Sequence, residues 1–288
     1  MVYWGHVIGS FLMRFIPVPV AYCLAAWSTP LALQVFARGH LQRATNNMRQ
    51  VLGPQADPRE ARRITLAAFA NYARYMVDLV RLPYVHPLEL NSHIRVEGWE
   101  HVEAAYTHGK GVVFATGHIG NWDMAGAAFV ARGRPVSALV ETLTPARWNE
   151  RVQRTRIAAG VKAIPIESGL REMLAALRKC EGLAVLVDRP VLEDGVPVTF
   201  FGRVTRVPAG AATLALRTGS PVVPAAMVRD TEHGGYLAHI GPPIVSEKGD
   251  DASIVMQRIM SWLEGIIRRY PDQWFMFRQM WPASDARV

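Results

Sequence analysis

The chain has 288 residues, 50% of them apolar and 19% charged, with 23 Gly and 19 Pro. It can therefore bury a full core, and neither disorder nor a collagen-like repeat fits. Its two cysteines, Cys23 and Cys180, stand isolated in apolar sequence, which excludes a disulfide framework and a cysteine-based zinc or iron–sulfur site and suits a reducing compartment. A net charge of +8 points to an anionic partner: nucleic acid, anionic lipid or a phosphorylated group.

Residues 1–56 carry Arg14, Arg38, Arg43 and Arg49 but no Asp or Glu, and they surround an uncharged run over 15–37. That run is long enough to cross a bilayer, yet Pro17, Pro19 and Pro30 interrupt it, so two broken amphipathic helices lying in the membrane interface are expected. A single span and a buried helix pair are the alternatives. Trp4, Phe11, Phe15, Tyr22, Trp27 and Phe36 are the rings an interface favours. After Gly53-Pro54, the sequence Asp57-Pro58-Arg59-Glu60 reads as a capped helix start. The helix should run to Leu82-Pro83 with Ile64, Ala68, Tyr72, Tyr75, Met76 and Leu79 on one face, and its arginines form either a solvated or a membrane-facing side.

From about residue 94 the texture changes to short β-rich runs at 94–97, 111–116, 135–140, 161–166, 183–187, 221–228 and 236–240. Helical patterns near 99–108, 120–131, 146–159, 168–179 and 208–218 lie between several of them. The expected fold class is α/β: a mainly parallel sheet of about seven strands flanked by helices, with the amphipathic segment 1–56 placed before an α/β domain over 57–288. Ligands of such sheets bind beyond the carboxyl ends of the strands.

One strand exit carries chemistry. The apolar run 111–116 leads into Gly117-His118-Ile119-Gly120-Asn121-Trp122-Asp123, and of nine histidines only His118 has an acidic residue five positions on. His118 is expected to act as a general base, with Asp123 fixing its tautomer from the first turns of the next helix. A capping Asp beside a turn histidine is the bland alternative. No Gly-x-Ser-x-Gly elbow, Walker A loop, Gly-x-Gly-x-x-Gly fingerprint or His-Glu-x-x-His occurs.

The blocks Gly117–Gly126, Val140-Glu141-Thr142-Leu143, Asp188-Arg189-Pro190, Gly195–Gly202, and Pro208 through Pro224 resemble the lysophospholipid-acyltransferase superfamily, in the branch of the lipid A late acyltransferases and the mycobacterial phosphatidylinositol mannoside acyltransferase. The resemblance is nearer to the latter and covers almost the whole chain. It implies transfer of a long acyl chain from acyl-CoA or acyl carrier protein to a hydroxyl of a membrane glycolipid, without an acyl-enzyme. By the same resemblance His118 is the base and Asp123 its orienter, Glu141 and Asp188 border the site, and Arg156 matches a family arginine. Arg156, Arg189, Arg203 and Arg206 are expected to hold phosphates, with Arg147, Arg151 and Arg154 on one helix face beside them. No cofactor or metal is implied beyond the thioester cosubstrate, nor any nucleic acid. The expected partners are a glycolipid acceptor and an anionic membrane surface, at the cytoplasmic face of the plasma membrane.

Phe200, Phe201 and Trp122 are candidates for an acyl channel, with core packing as the alternative. The basic and aromatic mixture of Arg268, Arg269, Trp274, Phe275, Phe277, Arg278 and Trp281 is expected to form an interfacial anchor, with a buried closing strand as the alternative. Two rivals stand beside this reading: acylation of a lysophosphatidic acid, and a non-catalytic basic module that binds anionic lipid.

Overall fold

The computed structural model describes residues 15–36, 38–167, 169–191 and 195–281. Trp4, Phe11 and Arg14 lie outside the described residues, as do the side chains of Phe36 and Arg38.

Three helices open the described chain: α1 (Val18–Phe36), α2 (Arg38–Leu52) and α3 (Pro58–Arg81). The expected break inside the first of them does not occur, since α1 runs through Pro30. The hydroxyls of Ser28 and Thr29 both donate to the Ala25 carbonyl, on the turn that the proline loosens. The break falls after Phe36 instead. No helix among the described residues is long and apolar enough to cross a membrane. Val20, Leu24, Trp27 and Leu31 recur at helical spacing on one face of α1 and all stand exposed, Trp27 at 81%. The opposite face packs on α3 through Ala21 and Leu33.

The long helix α3 begins where the capping signal places it. The Asp57 side chain accepts from the Arg59 amide, and Pro58 takes the first turn, where its missing N–H costs nothing. Buried Asp78 near its far end accepts hydrogen bonds from Tyr22 of α1, from Tyr236 and, at 2.7 Å, from Arg229. That cluster pins the first helix to the body with polar bonds in a site too dry to leave any of them unmade.

The remaining elements in chain order are α4 (Pro87–Ser92), β1 (Ile94–Glu97), α5 (Trp99–Tyr106), β2 (Val112–Thr116), α6 (Trp122–Ala131), β3 (Val136–Val140), α7 (Ala146–Ala158), β4 (Lys162–Pro165), α8 (Leu170–Arg178), β5 (Gly182–Leu186), β6 (Val196–Phe200), β7 (Arg203–Val207), α9 (Gly210–Thr218), β8 (Val222–Arg229), β9 (Tyr236–Ile240) and α10 (Ala252–Arg269). Seven strands form one sheet in the order β1-β9-β8-β2-β5-β3-β4. All neighbours are parallel except β8 and β9. Strands β2 and β5 lie at its centre and read as continuous apolar runs because helices cover both faces.

The hairpin of β6 and β7 and the helix α10 were not anticipated as elements. The hairpin turns at Phe201 and Gly202, both with positive φ, as a two-residue turn requires. Phe201 is held in that unfavourable backbone by a bond from its amide to Glu264 and another from Gln50 to its carbonyl. Helix α10 buries Val255, Met256, Ile259, Met260, Leu263, Ile266 and Ile267 in the main core, at about 1.5–3 kcal/mol for each large side chain.

Candidate active site

Strand β2 ends at Thr116, and the loop that follows is held from two sides. The Phe275 amide donates to the His118 carbonyl at 2.7 Å, the Gly120 amide donates to Gln273 at 2.9 Å, and the Asn121 amide donates to Met227 at 2.8 Å. Gly120 has φ +60°, and a Cβ there would collide with the Met227 carbonyl. Asn121 caps α6 by accepting from the Met124 amide at 3.0 Å. The closing segment 271–281 is thus a buckle across the loop that follows β2. Trp274, Phe275 and Trp281 are buried, which corrects their expected role as an interfacial anchor.

Parallel pairing of β2 with β5 sets Thr116 opposite Leu186, and the Val187 amide extends the ladder to the Thr116 carbonyl. Two residues farther on, His118 therefore stands across from Asp188. The His118 Nδ1 lies 2.6 Å from Asp188 Oδ1, while Asp188 Oδ2 accepts from the His118 amide and the Trp274 indole, each at 2.9 Å. Gly117 permits this approach, since a Cβ there would press on the carboxylate and on Leu263. Asp188 is fully buried, which by itself raises its carboxyl pKa; the neighbouring His118 charge and the three donors outweigh that, and the net value is lowered. The imidazole Nε2 has no hydrogen-bond partner among the described residues.

Asp123 stands elsewhere. Its Oδ2 accepts from Tyr75 at 2.6 Å and its Oδ1 from Arg156 Nε at 2.6 Å, so it braces α6 against α3 and α7. The expected orienting bond from Asp123 to His118 is absent, and Asp188 takes that place. A five-residue separation in sequence carries Asp123 onto the helix, where both its oxygens turn to the two neighbouring helices. Burial opposes the Arg156 charge, but Asp123 holds the guanidinium pKa above its ordinary value. Burial, reinforced by the Asp123 charge, raises Tyr75 well above the usual phenol.

Glu141, just past β3, pairs with Arg189, just past β5, and both remain partly exposed at the same sheet edge. Arg203 and Arg206 lie on β7, exposed, and none of the ion pairs of His118, Asp188, Asp123 or Glu141 involves them. Arg147, Arg151 and Arg154 of α7 border an open groove of about 340 Å³ against Leu79 and Tyr84. Among the described residues no group of three or more His, Cys, Asp or Glu is placed to hold a metal.

Phe200 and Phe201 are buried in the main core against Trp274 and Trp281 and line neither of the cavities that Trp122 borders, which favours core packing over a channel. Trp122 does border empty space. Two apolar cavities of about 50 Å³ each share Thr116, Trp122, Gly126, Val136 and Ala184, between α6 and the sheet. The Trp122 ring meets His118 at 5.3 Å between centroids, Tyr75 at 4.4 Å and Phe275 at 6.1 Å. Tyr75 and Trp274, the partners of the two carboxylates, were not singled out as site residues; only their place on buried faces hinted at them.

Residues 1–282 match the sequence profile of the family described as bacterial lipid A biosynthesis acyltransferase. The chain is 31% identical to the phosphatidylinositol mannoside acyltransferase of Mycolicibacterium smegmatis, over 98% of this chain and 93% of that protein. It is 30% identical to the protein of the same description from Mycobacterium tuberculosis, over 98% and 89%. The lipid A biosynthesis acyltransferase of Haemophilus influenzae is 23% identical over 96% and 87%. With a strand-exit histidine held by a buried carboxylate and a match along its whole length, the chain belongs to the bacterial lipid A biosynthesis acyltransferase family and is an acyltransferase.

Proposed function

We propose that the protein moves a long-chain acyl group from an acyl thioester, carried by coenzyme A or acyl carrier protein, to a hydroxyl of a glycolipid such as a phosphatidylinositol mannoside. The observation that carries this reading is the register-paired contact of His118 with Asp188, which leaves Nε2 without a partner. Asp188 accepts a hydrogen bond from the Nδ1 N–H and so keeps Nε2 as the basic atom. The acceptor hydroxyl gives its proton to Nε2 and attacks the thioester carbonyl, and Asp188 stabilises the imidazolium that results. Collapse of the adduct expels the thiolate, which takes the proton back from His118. The apolar space beneath Trp122 is where the acyl chain would begin to enter, and Glu141 with Arg189 stands at the sheet edge where polar parts of the substrates arrive.

The exposed apolar stripe of α1 and the basic, acid-free residues around it support a protein that rests on an anionic membrane surface. Its place is the cytoplasmic face, where acyl thioesters are available.

The test offers purified protein a panel of labelled acyl thioesters with extracted membrane lipids and identifies the product by mass spectrometry. An acylated glycolipid formed by the parent, and formed about a hundredfold or more slowly by His118→Ala with its fold intact, is the expected result. Parent-rate transfer by that variant would remove His118 from the chemistry, and acyl transfer to no glycolipid would remove the acceptor class.

A further inference from the structure

A buried hydrogen-bond donor without an acceptor is a standing cost that a folded chain rarely carries. Among the described residues the Trp122 indole Nε1 is such a donor: it is shut off from solvent and has no partner. Its place is what gives this meaning. The ring packs edge-on against the His118 imidazole and, on another side, borders both apolar cavities between α6 and the sheet. The two carboxylates of the site are already engaged. Both Asp123 oxygens hold Tyr75 and Arg156, and Asp188 holds His118 and Trp274. Trp274 makes the contrast within the same cluster, since its indole N–H reaches a carboxylate. Packing alone needs no nitrogen at position 122. A phenyl ring would fill much of that space and leave no donor behind.

We propose that Trp122 is a catalytic residue whose indole N–H donates to the carbonyl oxygen of the acyl thioester and to the oxyanion formed from it. This rests on the acyl-transfer reading above and adds to it the group that receives the developing charge. In the step, the acceptor O–H proton passes to His118 Nε2 as the new C–O bond forms. The carbonyl π pair moves to the oxygen, which the Trp122 N–H meets. The C=O bond then re-forms, the C–S bond breaks, and the thiolate takes the proton from His118. In surroundings of aromatic and aliphatic side chains a fixed donor acts on that oxygen with little competition from water. It is preorganised as well, because Trp122 opens α6 directly after the Asn121 cap and is wedged between Tyr75 and Phe275.

The experiment compares Trp122→Phe with the full chain in which position 122 carries benzothienylalanine, an isostere that replaces N–H by sulfur and preserves the ring's shape. Both are expected to lose about a hundredfold in kcat, with KM for the thioester changed about twofold or less. A second readout needs no turnover: in the ¹⁵N-labelled parent the Trp122 indole resonance should move downfield with an acyl-CoA analogue whose ketone survives, and stay put with a thioether lacking the carbonyl. Parent kcat in the benzothienylalanine protein overturns the proposal even if Trp122→Phe is slow, since the loss then comes from shape. An indole signal that ignores the ketone overturns it too. If the parent acylates no lipid while the indole still responds to the ketone, the acceptor assignment fails and the Trp122 contact stands.

Discussion

Replacing Asp188 by Asn separates charge from shape at the point on which the proposed reaction rests. The carboxylate receives two donors on Oδ2, the His118 amide and the Trp274 indole, and faces Nδ1 with Oδ1. An Asn side chain satisfies the first pair only with its carbonyl oxygen, which turns its NH₂ toward Nδ1. Nδ1 must then accept, so the ring proton moves to Nε2, the atom that has to receive the substrate proton. Every donor keeps an acceptor, so the fold should survive. The imidazolium, however, loses its counter-charge and the neutral ring is held in the wrong tautomer. A loss of about 10³–10⁴ in kcat is expected, or about 4–5.5 kcal/mol of transition-state stabilisation. The assay is acyl transfer by the folded variant, with ¹⁵N spectra of His118 to read the tautomer. Turnover by Asp188→Asn within a few-fold of the parent, or a ring that keeps its proton on Nδ1, would refute the reasoning.

Asp123→Asn should act on stability first. It leaves the Arg156 guanidinium, 14% exposed, without its counter-charge, at about 3–5 kcal/mol in urea unfolding; an unmoved denaturation midpoint contradicts the bracing role. Acid should release what Asp188 contributes. Because its folded pKa lies below the unfolded value of about 3.9, that stabilisation is complete above about pH 4–5 and is lost as the pH falls through the lowered value. Stability measured from pH 6 to 2 should lose part of this slope in Asp188→Asn, and identical curves would count against it. Trp27→Ser combined with Leu31→Ser changes only the exposed stripe of α1 and should reduce binding to anionic vesicles about tenfold or more, leaving unfolding unchanged. Removing residues 1–40 is a poorer probe, since it also strips Tyr22 from buried Asp78.

The fold was legible because the signals were local. Seven strand runs appear within about two residues of their expected places, since each is a short apolar or β-branched stretch bounded by Gly or Pro. The hairpin of β6 and β7 escaped because Pro197 interrupts one strand, Val204 of the other faces solvent, and its turn uses Phe201 where glycine or asparagine is usual. Pro30 misled for a different reason: a proline removes one bond of a helix, and the packing of Ala21 and Leu33 outweighs that loss. In the site, His118 could be found from the strand exit alone. Its partner entered only through the resemblance, as a residue bordering the site, because sequence order of strands says nothing of sheet order.

That difference explains why Asp188, and not Asp123, meets the His118 ring. Asp123 is near His118 in the chain, but the intervening loop turns the backbone from a strand into a helix. The residue then projects toward α3 and α7, whose Tyr75 and Arg156 meet it there. Asp188 is seventy positions away, yet its strand is the immediate neighbour of β2, and parallel strands lie only about 4.8 Å apart. With His118 and Asp188 at the same level beyond paired strands, a side chain as short as aspartate spans the remaining gap, and a glycine at 117 clears the way. The sheet's central pairing therefore sets the proposed base against its carboxylate directly, with no flexible element between them. The longer-range brace at Asp123 holds the helix that presents Trp122 beside them. A change that slips β5 against β2 by one residue would turn Asp188 to the opposite face and abolish transfer, while every side chain named as catalytic remained in the sequence.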